Sequence, residues 1–220
     1  KSGYNASVVT TTFAYNALGL LAKKTSTGVA DELYEYDALG NLIRQGTDVN
    51  GNGLLDLASM DRIKEIDQTF ISENGNLYQQ TIKKIYGANN SANATVISTS
   101  KQQLNNLPEG ITSLVQNTDR FGNITETRVS VNRSGKTVTT EIVSPDSTVP
   151  AQTIAVNELK TSERSKTNLT TTYTYDALGR LTGVTDPRTG TFTISYYTVG
   201  TGKIGKRHIV TNAAGNTTTY

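Results

Sequence analysis

One nine-residue phrase, written three times with small changes, restricts this chain more than any other feature. It reads FAYNALGLL at 13–21, YEYDALGNL at 34–42 and YTYDALGRL at 173–181. Its centre puts an Asx residue at the first position of a four-residue turn and a glycine at the fourth, which suits a type I turn followed by a left-handed residue. That is a three-residue hairpin loop closed by a glycine bulge. The same D/N-x-x-G spacing recurs at Asn16 and Gly19, Asp37 and Gly40, Asp119 and Gly122, Asn132 and Gly135, Asp176 and Gly179, and Asn212 and Gly215. Six copies are too many for one site and suit an architecture.

The flanks agree with the turn. Tyr173 and Tyr175 alternate with Thr172 and Thr174, and Leu181 and Val184 follow, so one strand face is apolar while the other stays polar. Hydrophobic residues make up 35% of the 220, charged residues 18%, and Trp is absent; the abundant Thr and Tyr favour pleated, half-buried surfaces. The expected fold is all-β, with repeated antiparallel β-hairpins stacked into a curled, spiral or elongated sheet. Gly19 and Gly40 are 21 residues apart, and a period in the twenties with insertions marks a drifted repeat array. A lone hairpin of this kind cannot bury its own face and must stack on its neighbours. A single repeat domain over 1–220 is expected, clearest at 1–87 and 119–220. Residues 88–118 are divergent or inserted, with one strand at 94–100 and a turn at NLPEG (106–110). For 78–86 a strand pair and a short helix both remain open.

Several functions are disfavoured. The net charge is +2 and the basic residues are scattered, so no nucleic-acid interface is expected. No cysteine is present, which removes disulfides and thiolate chemistry. No apolar run approaches the ~20 residues of a membrane helix, so no membrane span is expected. Lys1 is not an initiator Met, and the chain reads as excised from something larger and cut in mid-repeat at its C-terminus, leaving an open strand edge. His208, the one histidine, stands beside two cations that disfavour its protonation. It has no nucleophile or metal motif to work with. Acidic pairs such as Asp31 with Glu32 and Glu65 with Asp67 arise by chance among 19 acidic residues. The glycines at 200–205 precede no helix and read as a hairpin loop rather than a dinucleotide site. No enzyme is expected.

The sharpest candidate site is DVNGNGLLD at 48–56. Asp48, Asn50 and Asn52 stand at positions one, three and five, with Gly53 at six and Asp56 at nine, resembling the start of an EF-hand or dockerin loop. Oxygen donors at alternate positions can converge on a hard cation because the glycine lets the loop fold back. Position twelve is Ser59, however, where a bidentate Glu would be expected, and Asp61 follows two residues later. Two readings stand: a Ca²⁺ ion pinning a long hairpin loop, or another Asx-Gly turn. The eleven tyrosines also admit two readings, sugar-stacking platforms or ladders between stacked hairpins, and the ladder is favoured. Tyr196 and Tyr197 are adjacent, so one of them is expected to be exposed.

The chain resembles the YD-repeat, or Rhs-repeat, proteins of bacteria, which share this motif with the animal teneurins. The resemblance rests on Tyr34, Tyr36, Asp37, Gly40 and Leu42, and on Tyr173, Tyr175, Asp176, Gly179, Arg180 and Leu181, with Tyr15, Asn16, Gly19, Asp119 and Gly122 as further signature positions. It implies a β-sheet spiralled from hairpins, closing in large members into a shell around a toxic or variable C-terminal domain, in proteins secreted or held at the cell surface. Asp186-Pro187 is followed by RTGTF and lies between repeats, so the family's self-cleavage role is not carried over. The expected function is a non-catalytic segment of a β shell or stalk, partnered by neighbouring repeats of the same parent. The alternative is a module that binds cell-surface carbohydrate. A second alternative is a head-to-tail filament in which GNTTTY at 215–220 pairs with the strand near TTTFAYN at 10–16.

Overall fold

The computed structural model describes residues 8–87, 90–197 and 207–219. Every regular element among them is a β-strand, so the protein is all-β, as its turn-and-strand grammar requires. Contacts divide the chain into two compact units, residues 1–101 with 117–122 and residues 102–116 with 123–220. The first two crossings fall inside 88–118, where the repeat phrase is least regular.

The first unit is a meander. β1 (Thr11–Tyr15), β2 (Leu21–Ser26), β3 (Asp31–Tyr36), β4 (Leu42–Asp48), β5 (Arg62–Glu73) and β6 (Asn76–Tyr86) each pair antiparallel with the next. The stretch 78–86 belongs to one long strand, paired with β5 without a break from Ile63–Tyr86 to Glu73–Asn76. Asn74 and Gly75 turn this hairpin with φ of 51° and 80°, the left-handed pair that a two-residue type I′ turn requires. β7 (Ala94–Gln103) contains the strand expected at 94–100 and is followed by β8 (Ser113–Asp119). Between them NLPEG forms its turn, with the Ile111 N–H bonded to the Pro108 carbonyl at 3.0 Å.

The second unit repeats the plan. β9 (Ile124–Asn132), β10 (Thr137–Val143), β11 (Ala151–Val156), β12 (Leu159–Arg164), β13 (Thr170–Tyr175), β14 (Leu181–Asp186), β15 (Gly190–Tyr196), β16 (Arg207–Thr211) and β17 (Thr217–Thr219) are paired in chain order, all antiparallel.

Cores are thin in both units. In the first, Leu33, Leu55, Ile63 and Tyr86 are buried together, with Leu57 packed beside them. Leu55 comes from the β4–β5 connection, which folds back over the sheet and makes a second layer there. Gly46 permits this: a Cβ at that position would lie 2.7 Å from the Arg62 carbonyl oxygen and 3.0 Å from a Leu55 methyl. In the second unit the buried hydrophobic residues among those described are Leu114 and Ile194. Along β2 and β11 every residue is half-buried, so neither side of these strands has the full cover that a two-layer domain provides.

Candidate functional site

The repeated corner forms as its sequence predicts. At Asn16, Asp37, Asp176 and Asn212 the Asx carbonyl accepts the glycine N–H at 3.0, 3.1, 3.0 and 2.9 Å, and the Asx N–H donates to the carbonyl of the residue after the glycine. The Asx Oδ1 accepts the N–H groups two and four residues on. Gly19, Gly40, Gly179 and Gly215 have φ between 74° and 85°, a conformation in which a Cβ crowds the backbone. Asp119 and Gly122 form the same turn, with the Gly122 N–H on the Asp119 carbonyl at 3.1 Å and the Phe121 N–H on Asp119 Oδ1 at 2.8 Å. The third residue of each turn points outward; Leu18, Leu39 and Leu178 are exposed.

One copy differs from expectation. At Asn132 the left-handed residue is Lys136, with φ of 48°, rather than Gly135. β9 and β10 stay paired through Asn132–Thr137, so Asn132 belongs to the strand and the turn starts one residue later, closed by the Lys136 N–H on the Arg133 carbonyl. Another corner carries no D/N-x-x-G signal. Ser165 accepts from Asn168 at 3.0 Å and donates to the Leu169 carbonyl at 2.8 Å, while its Oγ accepts the Leu169 N–H at 3.1 Å. Asn168 takes the glycine's place with φ of 63°. Allowing Ser for Asx and Asn for Gly would have found it.

A tyrosine at the end of its strand joins one hairpin to the next. Tyr36 donates its hydroxyl to the Leu21 carbonyl at 2.9 Å, Tyr175 to Lys160 at 2.8 Å and Tyr196 to Leu181 at 2.7 Å, each reaching 15 residues back along the chain. All three tyrosines sit at a register shift in their own hairpin. In each case the ladder to the preceding strand stops short of the carbonyl that the hydroxyl takes. The side chain therefore satisfies a backbone acceptor that the sheet leaves open. Tyr15 occupies the same place in β1 and is exposed. Tyr196 was not among the signature residues, although it follows Tyr175 by 21 residues, the spacing between Tyr15 and Tyr36; that period was the signal.

The outer tyrosines bond to acids instead. Tyr34 donates to Glu32 at 2.8 Å, and Tyr173 donates to Glu163 at 3.2 Å with the Lys160 ammonium 4.4 Å from its ring centre. Tyr196 and Tyr197 are both half-buried, which corrects the expectation that one is exposed. Corner acids are held in their charged form. The Asn41 side chain and N–H keep Asp37 below its ordinary 3.8, and Arg180 does the same for Asp176.

The 48–61 loop brings three of its four predicted residues together, Asn50, Asn52 and Asp56, while the Asp48 carboxylate turns to the backbone. Asp48 is buried, and its carboxylate accepts the N–H groups of Gly51 (2.8 Å), Asn52 (3.2 Å) and Gly53 (2.8 Å). Asn50 and Asn52 both direct side-chain amides to Asp56 Oδ2, at 3.2 and 2.5 Å. Asp61 closes the loop, accepting the N–H groups of Val49 and Asp56 at 2.8 and 3.0 Å. Burial pushes the Asp61 carboxyl up, and these amide donors outweigh it, holding it below 3.8. Among the described residues no three His, Cys, Asp or Glu side chains are placed to hold a metal. A cation here would depend on the Asn50 and Asn52 oxygens beside Asp56.

Behind the loop, Glu65 is buried and accepts from Arg44 at 2.6 Å, Lys84 at 3.1 Å and Tyr86 at 3.1 Å. Burial raises its pKa, but these three donors prevail and hold it below 4.5. Asp67 shares the Lys84 ammonium. Both carboxylates are thus bound to a cation, the arrangement of a structural brace rather than of an acid–base pair. The glycines at 200–205, the side chain of His208 and the ends at 1–7 and 220 lie outside the described residues.

Residues 160–191 match the family model described as RHS Repeat. The match runs from the Lys160 carbonyl to the strand after the corner, and so contains one whole clasp. A comparison with the curated proteins found no match.

Proposed function

We propose that this chain, whose residues 160–191 match an RHS repeat, is a non-catalytic segment of a β wall in a secreted or cell-surface parent. RHS-repeat proteins are in general structural and extracellular or surface-associated. The observation that carries the reading is the clasp. The same hydroxyl-to-carbonyl reach of 15 residues occurs in both units, so the repeated chemistry is that of holding one hairpin to the next. Thin cores and half-buried strand faces suit a segment whose faces are covered by further repeats of its parent. Carbohydrate recognition through exposed tyrosines has less to rest on, because Tyr36 and Tyr175 spend their hydroxyls on the backbone.

Native-state hydrogen exchange tests the reading. Tyr175→Phe should lower amide protection in β12 as well as in β13 and β14, because the clasp joins them. Loss confined to β13 and β14 would overturn it.

A Ca²⁺ ion in the 48–61 loop is a second reading, favoured by the meeting of Asn50, Asn52 and Asp56. Such an ion would have to draw the Asn50 and Asn52 oxygens away from the Asn52 and Leu54 N–H groups that they accept, and with Asp56 they would then be the hard donors it takes. The ion would brace the β4–β5 connection over Leu55. Ca²⁺ should then raise the melting temperature of the wild type and not that of Asp56→Ala. An equal shift in both, or none in the wild type, sinks it.

A further inference from the structure

The charges of β2–β6 are sorted by face. Strand alternation and register put Asp31, Glu35, Asp48, Glu65 and Asp67 on the face that carries Leu33 and Ile63, with Lys23, Arg44 and Lys84 as their cations. The opposite face carries one acid, Glu32, against Lys24, Arg62, Lys64 and Lys83. Each cation of the first face holds a carboxylate, and Lys24 holds Glu32 at 3.0 Å. Arg62, Lys64 and Lys83 are exposed and make no ion pair among the described residues. A net charge of +2 over the chain conceals this concentration.

The three cations form a row. Arg62 and Lys64 are two residues apart on β5, about 6.8 Å along the strand. Lys83 stands on β6 opposite Ile66, one more such step along and one strand spacing, about 4.8 Å, to the side, so that its gap from Lys64 is about 8 Å. Beside the row lies a cleft of about 290 Å³ lined by Tyr34, Gln45, Thr47, Arg62 and Lys64. Its acid, Glu32, is already taken by Lys24 and the Tyr34 hydroxyl.

We propose that this face binds the phosphodiester backbone of a linear polyanion, with Arg62, Lys64 and Lys83 each facing one phosphate. The Arg62–Lys64 step is comparable to the separation of successive phosphates in an extended phosphodiester chain, and the long side chain of Lys83 can span its sideways offset. Arg62 supplies the planar fork that grips phosphate oxygens, while the lysines act as point charges. Gln45 and Thr47 offer hydrogen bonds to the ester and polyol oxygens between them. A sugar-acid polymer fits less well, because sugar recognition draws on an open aromatic face and Tyr34 is half-buried with its hydroxyl engaged.

Binding of the full chain to poly(glycerol phosphate), oligothymidylate, polygalacturonate and neutral dextran would be measured across a salt series. The wild type should bind poly(glycerol phosphate) and not dextran. R62Q/K64Q should lose on the order of tenfold in affinity at low salt, and its log K against log salt should be shallower by roughly 1.4, at about 0.7 per lost phosphate contact. R133Q/K136Q removes two exposed cations from the β9–β10 turn and should bind as the wild type does. Equal melting temperatures establish that the variants fold; should R62Q/K64Q melt early, K83Q carries the same test. Binding of oligothymidylate as well supports a backbone read in any phosphodiester polymer. Unchanged affinity in R62Q/K64Q, an equal loss in R133Q/K136Q, or tighter binding of polygalacturonate overturns the proposal.

Discussion

The hydroxyl of Tyr175 is worth more than its ring area suggests, because it replaces a missing rung of the sheet. Tyr175→Phe keeps the ring and removes the donor to the Lys160 carbonyl, so it should cost about 1 kcal/mol in urea unfolding. Tyr15→Phe, at an exposed position, should be close to neutral; equal effects of the two would refute the clasp. Gly46 makes the opposite argument, from space. A methyl there meets the Arg62 backbone and Leu55, so Gly46→Ala should destabilise by about 1–3 kcal/mol through overpacking. The tyrosine alternation was legible in sequence as a ladder. The acceptor was not, because which carbonyl a hydroxyl meets depends on the register of the preceding strand pair.

At the scale of the element, the corner is a local object and local rules describe most of it. An Asx residue and a glycine three positions apart close the turn from within, with no help from distant residues. The rule fails at Asn132, where pairing through Thr137 prolongs the strand and moves the left-handed residue to Lys136. Lys136→Gly should therefore stabilise the protein by roughly 1 kcal/mol, since it removes a Cβ from a left-handed position. A urea midpoint that falls in this variant would show that the turn is not shifted. The 48–61 loop lies at the edge of what local rules reach. Its spacing pointed to the residues that meet, Asn50, Asn52 and Asp56, whereas the turn of Asp48 to the backbone and the closing role of Asp61, which accepts the Val49 and Asp56 N–H groups, lie beyond the motif.

For the whole molecule, acid should be damaging. The carboxylates with displaced pKa values, among them Asp37, Asp61, Glu65, Asp176 and Asp186, lie below their ordinary values, and Asp186, held by the N–H and guanidinium of Arg188, falls to about 2. A carboxylate whose folded pKa is depressed contributes stability that is complete above its unfolded value and lost as pH falls through its folded one. The urea midpoint should thus be level between the ordinary 4.5 of Glu65 and neutral pH and decline toward the Asp186 value of about 2. A midpoint that holds or rises over that interval would contradict these ion pairs. The sequence by itself determined the all-β class, the hairpin corners and the stacking of hairpins in order, because turn chemistry and two-residue alternation act within a few neighbouring residues. Only the tertiary structure decided which carbonyl each tyrosine takes, that Leu55 roofs Gly46, and that three unpaired cations share one face. Those outcomes depend on strand register, and register is a property of pairs of strands that no single stretch of sequence contains.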